Sequence, residues 1–72
     1  MDEFPQAEAL HPLVATLAAQ EQSASWLARK TGKSPSYLTR VINGERRPSP
    51  DFRARAAAAL GVPETLLFPE AA

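Results

Sequence analysis

Apolar residues recur at helical spacing along most of the chain, and no segment shows the alternation that is typical of a half-buried strand. The spacing predicts four helices and a short fifth one, over residues 12–20, 24–31, 34–43, 50–60 and from 63 onward. Residues 1–9 lack this pattern and are expected to form a flexible N-terminal arm, which leaves residues 10–69 as one domain. We therefore expect an all-α fold, a compact bundle of about five short helices.

The third and fourth predicted helices have clearly marked ends. Ser34 and Ser49 are each followed by proline, the order expected of an N-cap and a first helical residue, because proline loses no helical hydrogen bond at that position. Gly44 and Gly61 follow the last apolar positions, and glycine ends helices because it adopts the left-handed conformation without strain. These local features support the helical assignment independently of the apolar spacing.

The third predicted helix has two chemically different sides. Leu38, Val41 and Ile42 follow one another at helical spacing and form an apolar side. The opposite side carries short polar or cationic residues, which are Ser36, Thr39, Arg40 and Asn43. The tripeptide 32–34 joins this helix to the second one, and such a short glycine-containing connection is typical of the helix-turn-helix motif. In that motif the second helix lies in the major groove of DNA, so we expect the segment Ser34–Asn43 to contact DNA.

The charged residues are segregated along the chain, although the formal net charge is zero. All eight basic residues lie between Arg29 and Arg55, together with only two acidic residues, Glu45 and Asp51. The flanking segments carry the other six acidic residues and no Lys or Arg. A single basic segment in a short chain indicates a surface for a polyanion and favours double-stranded DNA as the partner; a solvated run of charge is the alternative.

Several function classes find no support in the sequence. The chain has no cysteine, which excludes disulfide bonds and thiolate zinc sites and fits a reducing compartment. It has no Gly-rich phosphate loop, metal-ligand spacing or catalytic triad, so we expect no enzyme, cofactor, metal or small-molecule ligand. The apolar runs are too short to span a bilayer, and the acidic start at residues 1–3 is unlike a secretory signal. We therefore expect a cytoplasmic protein without a membrane partner.

Five short motifs follow one another in order between residues 23 and 67. They are Leu27-Ala28, Gly32, Asn43-Gly44, Arg46-Arg47-Pro48-Ser49 and Leu60-Gly61-Val62. No single motif is rare, but the ordered combination is specific, and it resembles the Cro/phage-repressor (XRE-like) helix-turn-helix family. The resemblance implies a lambda-repressor-like domain that binds an operator and regulates transcription, most often as a repressor of the phage or restriction-controller type.

Three positions depart from the pattern of that family. Ala24 stands where the second helix often opens with a Gln that braces the DNA-contacting helix and a phosphate. Ile42 stands where the family often has a Glu paired with an Arg of the first helix, and Leu17 occupies about the place of that Arg. An apolar pair can replace a buried ion pair at little cost. Pro35 stands where many members carry a polar base-contacting side chain, so fewer residues are left for base contacts.

The resemblance and the helix sides together predict residue roles. Arg40 is the best candidate for a base contact, because a guanidinium binds guanine through two hydrogen bonds; a phosphate contact or plain solvation is the alternative. The positions predicted to face the bases are Pro35, Ser36, Thr39 and Arg40. The positions predicted to contact the DNA backbone are Ser23, Lys33, Ser34, Tyr37, Asn43, Arg46 and Arg47. Arg53 and Arg55 are equally well explained as surface residues.

Two ring-bearing residues near the predicted helix starts have no assigned DNA contact. For Trp26 we favour packing against the core over an approach to the sugar-phosphate backbone. His11 precedes a proline and has no second metal-ligand residue nearby, so it is interpreted as a residue of the helix start.

A domain of this size covers too little of the major groove for high specificity by itself. We therefore expect a homodimer, at least on DNA, that binds a palindromic operator. The candidate dimer surface consists of Leu66, Leu67 and Phe68, and the alternative is that these residues complete the core of their own domain.

Two other functions stay open at this point. The same fold can serve as a protein-interaction module, for instance an antirepressor or an assembly factor, because Ala24 and Pro35 weaken the usual set of base contacts. A DNA-binding antitoxin would combine both kinds of partner.

Overall fold

The computed structural model describes residues 11–69, so the predicted arm at residues 1–9 lies outside the described residues. Within that range the chain forms five helices and no strand, which confirms the all-α prediction. The helices are α1 (Pro12–Ala19), α2 (Ala24–Thr31), α3 (Pro35–Ile42), α4 (Pro50–Leu60) and the short α5 (Glu64–Leu67). Every helix in the described range falls short of the length and apolarity that a membrane crossing requires.

Side-chain caps explain why the helices begin where they do. Each of α2, α3 and α4 is preceded by a serine whose hydroxyl oxygen accepts a hydrogen bond from the backbone N–H three residues later. The pairs are Ser23 with Trp26 (3.1 Å), Ser34 with Tyr37 (3.2 Å) and Ser49 with Phe52 (3.1 Å). His11 caps α1, because its Nδ1 accepts a hydrogen bond from the N–H of Leu13 at 3.0 Å. The predicted helix starts therefore have a local physical cause.

The core is formed by one apolar side of every helix. Helix α4 packs against both α2 and α5, α2 also contacts α3, and α1 lies against α5. The large apolar side chains that are fully buried are Leu13, Leu27, Leu38, Phe52, Leu67 and Phe68. The aromatic rings meet edge to face, and the ring centroids of Phe52 and Phe68 are 5.8 Å apart. Helix α4 thus joins the α2–α3 pair to the rest of the bundle.

The three residues predicted as a dimer surface do not lie on one surface. Leu67 and Phe68 are buried in the core of their own domain, whereas the side chain of Leu66 is 52% exposed. Leu67 is the last residue of α5, and the next residue leaves the helix with φ −134°, so the two side chains turn inward together. Leu67 and Phe68 therefore complete the core of their own domain, which was the alternative to a dimer surface. Of the three residues, only Leu66 is exposed enough for a dimer contact.

Replacing Phe68 by Ala is expected to lower the free energy of unfolding by about 3–5 kcal/mol, because the change empties a fully buried site beside Phe52. Since a small domain is stable by only ~5 kcal/mol, the variant should retain about 2 kcal/mol or less. The variant Leu66→Ala, two residues earlier and half exposed, is the matched control, with an expected change below about 0.5 kcal/mol. Urea denaturation followed by helical circular dichroism measures both, and equal losses would contradict the core position of Phe68.

Candidate nucleic-acid interface

The turn between α2 and α3 holds α3 on the bundle with its apolar side inward. Gly32 ends α2 with φ 75°, a left-handed conformation that favours glycine, and Ser34 caps α3 two residues later. Leu38 and Val41 are buried, and Ile42 is partly buried against the same core. These contacts leave the opposite side of α3 in solvent.

The solvent side of α3 forms a continuous polar surface. The exposed residues on it are Pro35, Ser36, Thr39, Arg40 and Asn43, and together with Glu45 they line an open concavity. A second concavity at the start of α3 shares Ser36 and Arg40 with the first and is otherwise lined by Ser34, Tyr37 and Arg46. The four positions predicted to face the bases therefore lie together. Beside them lie four residues predicted to contact the DNA backbone, which are Ser34, Tyr37, Asn43 and Arg46. Glu45 is the member that the sequence prediction missed, although it is the acidic residue nearest to α3 in the basic segment.

The first turn of α3 has one backbone donor left for a ligand. Pro35 has no N–H, and the N–H of Tyr37 is bonded to the carbonyl oxygen of Ser34 at 3.1 Å and to its hydroxyl oxygen at 3.2 Å. The N–H of Ser36 forms no hydrogen bond with another described residue. An anion at this helix start would therefore meet the helix dipole and the single N–H of Ser36.

Thr39 uses its hydroxyl proton within the helix. The hydroxyl donates to the carbonyl oxygen of Pro35, four residues earlier, at 3.1 Å. In this conformation Thr39 offers an acceptor lone pair and its methyl group to a partner, but no donor. A methyl group at this position suits contact with the C5-methyl group of thymine.

Tyr37 connects the turn, α3 and the start of α4. Its hydroxyl oxygen accepts a hydrogen bond from the backbone N–H of Ser49 at 3.0 Å, and its ring meets that of Phe52 edge to face at 5.1 Å. Two cations lie over the same ring, since Lys33 Nζ and the guanidinium carbon of Arg46 are each 5.0 Å from its centroid. The tyrosine therefore orders two of the cations predicted to contact the DNA backbone.

The surroundings of Tyr37 shift its ionisation. Partial burial alone would raise the pKa of the hydroxyl, because it disfavours the charged phenolate. Hydrogen bonds from Ser49 and Arg46 and the positive charge of Lys33 act in the opposite direction and together outweigh burial. The pKa of Tyr37 is therefore lowered from its usual value of 10.0.

Two of the eight basic residues form ion pairs with described acidic residues. Arg55 Nε lies 3.0 Å from a carboxylate oxygen of Asp51. Arg53 lies 3.5 Å from Glu64 and donates to the carbonyl oxygen of Pro48 at 3.1 Å. The other six cations form no ion pair with a described residue, and they are Arg29, Lys30, Lys33, Arg40, Arg46 and Arg47. The available positive charge is thus concentrated on α2, the turn, α3 and the segment after α3.

Ser23 and Trp26 lie at the start of α2 and line neither concavity. Trp26 is partly buried against the core, as favoured from the sequence, and Lys30 Nζ lies 5.8 Å from its ring centroid. Ser23 is exposed and caps the helix. Among residues 11–69 no group of three His, Cys, Asp or Glu side chains is arranged to hold a metal ion.

Sequence comparison relates this region to a known type of domain. The model of the family described as helix-turn-helix domain matches residues 13–67, which is more than half of the chain and extends from α1 to the end of α5. No curated protein and no solved structure matches the chain. The matched range includes both concavities and the cations around them.

Tyr37 is the only tyrosine of the chain, so its ionisation can be followed by tyrosinate absorbance. The titration midpoint is expected below 10.0 in the folded protein. Because the folded pKa lies below the unfolded one, this group contributes stability above the unfolded pKa, and the contribution is lost as the pH falls through the folded pKa.

Lys33→Ala should raise the midpoint, because it removes one of the charges that favour the phenolate. Lys30→Ala is the matched control, since Lys30 lies over Trp26 and should leave the midpoint unchanged. A midpoint at or above 10.0 in the unsubstituted protein, or equal shifts in both variants, would contradict this description.

Proposed function

The chain belongs to the helix-turn-helix domain family, and on that premise we propose that it is a sequence-specific regulator of transcription that binds double-stranded DNA. Within that family its motifs favour the Cro/phage-repressor (XRE-like) type, a repressor that acts by occupying an operator. The observation that carries the proposal is the exposed polar side of α3, which is flanked by cations that form no ion pair with a described residue.

Base contacts are proposed for the outward side of α3. A helix is about 10–12 Å across with its side chains, and the major groove of B-form DNA is ~12 Å wide, so this side can meet the base edges. In the proposal Arg40 binds the O6 and N7 atoms of a guanine. Ser36 and Thr39 contact neighbouring bases, and Pro35 contributes van der Waals contact only.

Backbone contacts are proposed for the residues around α3. Lys33 and Arg46 lie over the Tyr37 ring, which reduces the conformational entropy that they lose on binding a phosphate. The full proposed set is Ser23, Lys33, Ser34, Tyr37, Asn43, Arg46 and Arg47. Contacts of this kind set the register of the protein on DNA without specifying its sequence.

The proposed bound form is a homodimer on a palindromic operator with half-sites about 34 Å apart. The eight-residue helix α3 reaches only a few base pairs, so two copies are needed to specify a site. Leu66 is the large exposed apolar residue of the described range and therefore the candidate for the dimer contact. We further propose that the protein acts in the cytoplasm, without a cofactor and without catalysis.

Binding should depend strongly on salt, because phosphate contacts release condensed counterions. If each subunit neutralises about four phosphates, the logarithm of the binding constant should fall with the logarithm of the salt concentration with a slope of about −7 for the dimer. Fluorescence anisotropy with a labelled duplex measures this slope. A nearly flat dependence, or no retardation of random duplexes in a gel shift at low salt, would refute the proposal and favour the protein-interaction module.

Arg40 and Arg46 should differ in what their loss does to DNA binding. Arg40→Ala is expected to weaken binding of the preferred sequence by about 1–3 kcal/mol and to relax the preference at one operator position. Arg46→Ala should weaken all sequences alike, because a phosphate contact carries no base information. Selection of bound duplexes from a random library checks both variants, and equal, sequence-independent losses would remove the base contact of Arg40.

A further inference from the structure

Glu45 is held next to the outward side of α3. The helix ends at Ile42, and the left-handed Gly44 (φ 80°) turns the chain back across its last turn. The N–H of Glu45 then donates to the carbonyl oxygen of Arg40 at 2.8 Å, which ties the backbone of Glu45 to the helix. Its exposed side chain lines the same concavity as Arg40 and Asn43. Glu45 therefore belongs to the proposed DNA-contacting surface by position.

The carboxylate of Glu45 is not neutralised within the part of the chain that the structure describes. It forms no ion pair with Arg40, although both line one concavity. The other acidic residue of the basic segment, Asp51, is instead paired with Arg55 at 3.0 Å. A negative charge thus stands on a surface that is otherwise polar or cationic.

A carboxylate in the major groove tolerates few partners. An ionised carboxylate only accepts hydrogen bonds, and leaving it without a donor in a dehydrated interface is strongly unfavourable. In the major groove the donors are the exocyclic amino groups, N4 of cytosine and N6 of adenine, whereas the N7, O6 and O4 atoms are acceptors. Each base pair presents one of these amino groups, and reversing the pair moves that group to the other strand. A carboxylate in a fixed position therefore favours the orientation of the pair that brings the amino group within reach.

We propose that Glu45 is a specificity-determining residue that accepts a hydrogen bond from the exocyclic amino group of a base, cytosine or adenine, in the major groove. This inference rests on the proposed function and adds one base-contacting residue from outside α3 to those proposed on the helix. Because the backbone of Glu45 is bonded to that of Arg40 and both side chains line one concavity, we expect its base to lie in a base pair next to the guanine of Arg40.

The test is a selection of bound duplexes from a random library with three proteins: the unsubstituted chain, Glu45→Ala and Asp51→Ala. Both substitutions remove one negative charge from the basic segment, but Asp51 lines neither concavity. The unsubstituted chain should prefer one orientation of a base pair at one position beside the base that depends on Arg40, so that cytosine or adenine is enriched there on one strand. Glu45→Ala should reduce that preference by on the order of tenfold and leave the other positions as they are, while Asp51→Ala should leave all preferences unchanged.

The outcomes separate this inference from the proposed function. If the unsubstituted chain enriches a motif and Glu45→Ala enriches the same motif with the same strength at every position, the role of Glu45 is refuted and the proposed function stands. If Asp51→Ala weakens the same base preference to the same extent, the effect is one of net charge, and the inference is overturned. If the unsubstituted chain enriches nothing, both proposals fail.

Discussion

The structure depends on the burial of one side of α3. A helix of eight residues is not stable alone in water, so α3 exists because Leu38 and Val41 are buried in the core. The same contact decides which residues remain in solvent, since the side opposite Leu38 cannot also face the protein. Folding and the exposure of the proposed DNA-contacting surface are therefore one event, and a change that loosens this packing should affect both.

Tyr37 connects the packed core to the charged surface. Its ring packs on the buried Phe52, and two cations lie over the ring. Its hydroxyl oxygen accepts a hydrogen bond from the backbone N–H of Ser49, the N-cap residue of α4. The side chains of Lys and Arg lose considerable entropy when they are fixed, so cations that already rest on a ring are better prepared for a phosphate. Tyr37 thus helps to position two positive charges of this surface without being charged itself.

The net charge of zero conceals a strongly uneven surface. Arg53 and Arg55 are engaged by Glu64 and Asp51, so α4 contributes little free positive charge. The cations without such partners in the described range lie on α2, the turn, α3 and the segment after it. Glu45 is the exception on this surface, and in the proposed complex its carboxylate would add discrimination, where more positive charge would only add affinity.

The sequence alone predicted the bounds of α3 and α4 to within a residue, because Ser–Pro starts and glycine ends act within a few residues, and it predicted the two sides of α3 through simple periodicity. It also located the polar positions of that helix, which the structure brings onto one exposed surface.

The tertiary structure decided the rest. Leu66, Leu67 and Phe68 are consecutive and equally apolar, so only the neighbouring helices settle that the last two are buried. The bond between Tyr37 and Ser49 spans twelve residues, and the position of Glu45 depends on the turn after α3. Local rules do not reach these contacts, because they require distances between segments that only the packed bundle defines.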